Sequence, residues 1–165
     1  MNQYRTSRHL LIDTRYDGEQ VLVYRGFIYD GDTYAIDWRE WEPELRAICP
    51  MPAPAAHDLL WGYKFFASGK PCTWAQSNRI YFDLCHSSTN PFRRLCSHVR
   101  DTLLGTRMSE RRWDALPHEP IPAEFAHLYG NTQAAVDART RECWRVVTGP
   151  GNRLIILPPH RIADV

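Results

Sequence analysis

The sequence predicts an α+β fold: an antiparallel or mixed sheet formed by an N-terminal three-stranded meander, a central strand and a C-terminal hairpin, with helices packed on one face. Three observations predict it. Strand-like runs gather at both ends of the chain, with helix-like runs between them. Pairs of residues suited to tight turns punctuate the strand-like runs. The composition, 44% apolar and 24% charged, is that of an ordinary globular chain. At 165 residues the chain has the size of a single domain, so residues 1–165 are read as one domain around one core.

The meander is assigned to His9-Leu10-Leu11-Ile12, then Val21-Leu22-Val23-Tyr24 with Phe27-Ile28-Tyr29, then Tyr34-Ala35-Ile36-Asp37-Trp38. Asp17-Gly18 and Asp30-Gly31-Asp32 supply its turns, because these residues tolerate positive φ. Residues 39–48 read as a short helix, with Trp41, Leu45 and Ile48 on one side and Pro43 in the first turn. In Cys49-Pro50-Met51-Pro52-Ala53-Pro54, three prolines in five residues predict an extended strap. His57 to Ala67, with Leu60, Trp61, Tyr63, Phe65 and Phe66, is assigned to helix although its period is ambiguous.

Arg79 to Cys85 reads as the central strand. The polar run Ser87-Ser88-Thr89-Asn90 then caps a helix with Pro91 in its first turn. In this helix, Pro91 to Met108, the residues Phe92, Leu95, Cys96, Val99 and Leu103 form an apolar stripe, and Gly105 is a place for it to break or end. A proline-rich link over Pro117–Pro122 leads to a short helical stretch near Glu124 to Tyr129, stopped by Gly130-Asn131. A helix over 132–141 follows. The chain closes with a hairpin, Cys143 to Val147 against Arg153 to Leu157, turned by Gly149-Pro150-Gly151-Asn152 and ended by Pro158-Pro159.

No apolar run approaches the roughly 20 residues of a membrane helix, and the polar start Met1-Asn2-Gln3-Tyr4-Arg5 is unlike a secretory signal. A cytoplasmic location without membrane contact is expected. Five cysteines without regular spacing read as reduced thiols. The net charge is +1, yet 18 of the 20 basic residues are arginine. Arginine suits planar, bidentate recognition of carboxylates, phosphates and aromatic faces; a GC-rich genome produces the same bias without a functional cause.

Cys72, Cys85, His86, Cys96 and His98 offer metal-ligand chemistry, but not at the spacing that lets a loop wrap a zinc ion. Cys85 and His86, read as strand neighbours, point to opposite faces and do not form a thiol–imidazole couple. No metal and no cofactor is expected. Arg25 follows the strand-like Val21 to Tyr24, Ser88 lies in Ser87-Ser88-Thr89, and Glu142 precedes a further strand. This order resembles the Arg, Ser-Thr-Ser and Glu motifs of ADP-ribosyltransferases, which would imply an NAD-consuming enzyme using Arg25, Ser88 and Glu142. The serine motif departs from that pattern, and without the resemblance Arg25 is a polar strand residue, Ser88 a helix cap and Glu142 a solvated charge.

The remaining feature is a basic ridge, Arg93, Arg100, Arg107 and Arg111, with Arg94 and Arg112 beside it and Trp113 at its end. Arginine beside an aromatic is suited to protein hot spots and to phosphate or base contacts. Asp101, Glu110 and Asp114 dilute the charge, which favours a protein partner over a nucleic acid. The sequence therefore points to a small non-enzymatic module that occupies or inhibits a macromolecular partner, as accessory and defence-inhibiting proteins of phages and mobile elements do.

Overall fold

The computed structural model describes residues 3–16, 18–30, 47–49, 52–87, 102 and 105–160. They form an α+β fold with two sheets. Strands β1 (Gln3–Arg5) and β4 (Ile28–Asp30) make a two-stranded antiparallel sheet. Strands β2 (Leu10–Asp13), β3 (Gln20–Val23), β5 (Trp144–Thr148) and β6 (Leu154–Leu157) make a four-stranded mixed sheet in the order β3-β2-β5-β6. Its outer pairs are antiparallel, and its central pair, β2 with β5, is parallel.

The two expected hairpins are present, β2–β3 and β5–β6. Gly18 (φ +73°) and Gly151 (φ +70°) adopt the left-handed backbone that their turns require. The segment Phe27-Ile28-Tyr29, read with Val21 to Tyr24 as the middle of the meander, instead forms a separate strand, β4, which pairs with β1 in the register Tyr4 to Tyr29. The third meander strand, 34–38, and most of the helix at 39–48 lie outside the described residues.

Four α-helices lie wholly within the described residues: α1 (Pro52–Tyr63), α2 (Trp74–Cys85), α3 (Arg107–Ala115) and α4 (Gln133–Glu142). The 79–85 segment is therefore not a central strand but the second half of α2. Thr73 and Gln76 form a reciprocal capping box, and Ser77, Ile80, Tyr81, Leu84 and Cys85 are buried at helical spacing. The proline strap is likewise corrected from Pro52 onward. Pro52 and Pro54 fall in the first turn of α1, where the backbone N–H groups have no intrahelical acceptor to lose. The stretch after Pro122 is a 3₁₀ helix, Ala123–Leu128, and the 132–141 expectation corresponds to α4.

Strand alternation divides the core. Leu10, Ile12, Val21, Val23 and Val146 pack with Leu59, Leu60 and Tyr63 of α1 and Ile80, Tyr81 and Leu84 of α2. Leu11 and Leu22 join Leu128, Ala138 and Cys143 in a smaller second cluster. Helices α1 and α2 thus form the main layer, while α4 and the 3₁₀ helix cover the smaller cluster.

Among the described residues, three charged side chains are buried and each is hydrogen-bonded. Arg139 donates from Nη1 to the carbonyls of Ala67 (3.2 Å), Leu128 (2.8 Å) and Gly130 (2.9 Å). Lys64, left-handed at φ +60° just past α1, donates from Nζ to the carbonyls of Trp113 and Leu116, each at 2.6 Å. Glu19 accepts from Ser68 Oγ and pairs with Lys70 Nζ at 2.6 Å. Burial pushes the Glu19 carboxyl up, but the hydrogen bonds from Lys70 and Ser68 outweigh it and hold the group below its ordinary 4.5. A depressed carboxylate contributes stability that is fully present above its unfolded pKa and is lost as pH falls through the folded one. Denaturant midpoints measured down through about pH 4.5 should therefore fall less steeply in Glu19→Gln than in the wild type; an unchanged acid slope would show that Glu19 is not a source of it.

Candidate functional site

Helix α3 is short and polar, and only Trp113 of its nine residues is buried. A lone helix of this length is marginal in water, so its stability has to come from tertiary anchors. Thr106 caps the N-terminus, its hydroxyl accepting from Ser109 N–H. Trp113 packs edge-on against Trp61 of α1, with ring centroids 5.5 Å apart at 89°. Lys64 Nζ lies 5.3 Å from the Trp113 ring while it holds the helix's C-terminal carbonyls. Trp74 of α2 donates from its indole Nε1 to Ser109 Oγ at 3.1 Å. The helix is thereby pinned to both α1 and α2.

The anchors leave α3 with distinct faces. Arg107 and Arg111, one turn apart, are exposed and face neither of the two depressions that flank the helix. Met108 and Arg112, with Leu116 beyond the helix end, line a groove of about 720 Å³ against α1. Met108 is 80% exposed and Leu116 37%. The α1 wall presents His57, Asp58, Trp61 and Gly62. Glu119 borders the same wall: its backbone N–H donates to Gly62 O at 2.9 Å, and its carboxyl carbon lies 3.3 Å from where a Cβ on residue 62 would stand. Glycine at 62 leaves room for that carboxylate. The groove is thus lined by aromatic and aliphatic side chains, with a cation on the α3 side and two carboxylates on the α1 side, of which Asp58 lies 3.6 Å from His57 Nδ1.

His57 is held in this wall by its neighbours. Its ring lies 5.3 Å from that of Trp61 and 5.0 Å from that of Tyr81, and its Nε2 is 3.3 Å from Asn78 Oδ1.

Of the residues singled out in the sequence, Arg107, Arg111 and Arg112 come together as exposed side chains on α3. Trp113 is buried beneath them and supports the ridge instead of presenting its ring. Arg93, Arg94 and Arg100 lie outside the described residues, as do Ser88, Cys96 and His98. Gly105 and Thr106 are not helical and α3 begins at Arg107; residues 91–101, 103 and 104 of the segment read as one helix to Met108 lie outside the described residues.

Arg25 and Glu142 are exposed at the same end of the four-stranded sheet, where both act electrostatically on His9. Arg25 N–H donates to His9 Nδ1 at 3.1 Å, and Glu142 pairs with His127 at 3.2 Å. Burial lowers the His9 pKa, with Glu142 opposing and Arg25 reinforcing the shift. Cys49, Cys72, Cys85 and Cys143 are buried and carry no disulfide. Burial pushes the thiols of Cys72, Cys85 and Cys143 up to about 12, which leaves them protonated and unreactive at neutral pH. Among the described residues, no three His, Cys, Asp or Glu side chains converge as metal ligands, and no helix is long and apolar enough to cross a membrane.

The sequence reading missed Trp61, Gly62, Leu116 and Glu119 as parts of a site. The spacing of Met108, Arg112 and Leu116, four residues apart with the last just past the end of α3, was the available signal. The α1 wall carried none, because it meets α3 only through tertiary packing. No protein-family model, curated protein or solved structure matches the chain.

Proposed function

We propose that the chain is a non-enzymatic binding module that occupies a protein partner through the exposed face of α3. The observation that carries this reading is the contrast within one helix. Four anchors fix α3, yet only Trp113 enters the interior, and Arg107, Arg111, Arg112 and Met108 are left to solvent. A side chain on a fixed element loses less freedom on binding than one on a mobile loop, so such a surface binds at lower entropic cost. Arginine and methionine are also among the residue types enriched at interfaces. Exposed Glu110 and Asp114 on the same helix break up the positive charge, which favours a folded protein over a phosphate backbone.

The test is capture of partners from cell lysate on the tagged chain, with and without nuclease. The double variant Arg107→Glu, Arg111→Glu should keep the wild-type unfolding midpoint while losing about tenfold or more in affinity for the captured protein. Undiminished affinity in the folded variant would remove α3 from the interface. Recovery that depends on intact nucleic acid would assign the arginines to phosphate contacts instead.

A further inference from the structure

We propose that the groove between α1 and α3 receives an amphipathic helix of the protein partner. Its apolar side chains would seat on Trp61, Met108 and Leu116, with acidic residues along the flank facing Arg112 and basic residues along the flank facing Asp58 and Glu119. This inference rests on the binding-module reading and specifies the chemistry of what is bound.

The argument begins with charge placement. Arg112 stands on the α3 wall and Asp58, 3.6 Å from His57 Nδ1, and Glu119 stand on the α1 side, so the two walls carry carboxylates on one side and a guanidinium on the other, with Trp61, Met108 and Leu116 as the apolar lining. A helix laid along such a groove presents a stripe of apolar residues downward and one flank to each rim, the arrangement by which helix-in-groove complexes are read. Opposite rims reward a helix whose flanks differ in sign and penalise one whose flanks are alike, through juxtaposition of like charges. The apolar lining supplies the affinity. Met108 on α3 and Leu116 just past its end are exposed apolar side chains in an otherwise polar stretch, and Trp61 offers aromatic surface backed by Trp113. The lining is also fixed before binding, because the Trp61–Trp113 contact and the Lys64 hydrogen bonds hold both walls.

A second copy of this chain is a poorer occupant. Antiparallel pairing of two α3 helices that seats Met108 on Leu116 of the other copy sets Arg112 opposite its own mate, a like-charge contact at the centre of the interface.

The probe is a synthetic 14-residue peptide with leucines spaced three and four residues apart, glutamates on one flank and lysines on the other. It would be titrated into isotopically labelled full-length protein, with the indole N–H resonance of Trp61 assigned through Trp61→Phe. The expected result is saturable binding with a Kd below about 100 µM, shifts confined to Trp61, Met108, Arg112, Leu116 and their neighbours, and loss of these shifts when the leucines become serines. Arg112→Glu and Met108→Asp, both at exposed positions, should each weaken the peptide by about tenfold. Absence of saturation at about 1 mM peptide, or shifts that map elsewhere, would overturn the proposal. So would equal affinity for the serine peptide. The ridge variant distinguishes this from failure of the parent reading. If Arg107→Glu, Arg111→Glu abolishes partner capture while the peptide leaves Trp61 unmoved, α3 is an interface and the groove is not its receptor.

Discussion

Replacing Arg139 with methionine should destabilise the protein by about 3–5 kcal/mol, read as a lowered midpoint of urea unfolding with an unchanged slope. The guanidinium is buried and serves three carbonyls from one terminal nitrogen: Ala67 after α1, Leu128 at the end of the 3₁₀ helix, and Gly130 ahead of α4. Burial lowers its pKa, against the opposing influence of Cys143 and Glu19, yet arginine stays charged at any pH at which the protein is folded. Methionine fills similar space but donates nothing, so three carbonyls drawn from separate segments lose their common donor. Arg139→Lys, which keeps the charge on a single nitrogen without the planar fork, should recover part of the loss. A cost below about 1 kcal/mol for methionine would mean that water reaches these carbonyls.

The second large effect is expected at Lys64. Lys64→Met should cost about 2–4 kcal/mol, because two short hydrogen bonds from a buried ammonium to the Trp113 and Leu116 carbonyls are lost together. The damage should also be local. With its C-terminal carbonyls released, α3 keeps, among the described residues, the Trp113 contact, the Trp74–Ser109 bond and the Thr106 cap. Amide hydrogen exchange over residues 107–116 should accelerate well beyond the change in global stability, and partner affinity should fall although Lys64 itself touches no partner. Uniform acceleration across the whole protein would instead mean that Lys64 supports the fold without any special hold on α3.

Much of the fold was legible wherever the determining contacts are close in sequence. The β2–β3 and β5–β6 hairpins announce themselves through alternating apolar residues and turn glycines, and α4 through the Gly130-Asn131 stop before it. The errors have physical causes. Arg79 to Cys85 is dense in β-formers, and that density masked a helical period which the Thr73–Gln76 capping box, a few residues upstream, would have revealed. The prolines at 52 and 54 were read as helix breakers when their place in the first turn makes them compatible with one. The pairing of β1 with β4 and of β2 with β5 left no local trace at all. For the site, the exposed arginines of α3 were visible in the sequence. The burial of Trp113 and the existence of a groove were not, since both depend on where α1 lies relative to α3.

The parallel β2–β5 pair, with Leu10 opposite Trp144 and Ile12 opposite Val146, lies at the centre of the four-stranded sheet. Most of the chain separates the two strands, so this contact carries a large loop-closure entropy and raises the contact order that slows folding. On the ribosome, the β2–β3 hairpin emerges with the apolar Leu10-Leu11-Ile12 edge open, and it waits for β5 while residues are added at about 5–20 per second. For that interval an unpaired apolar strand edge is exposed to pairing with other nascent chains. The yield of folded protein in a cell should therefore depend on synthesis rate and on chaperones that shield such edges, independently of how stable the finished sheet is.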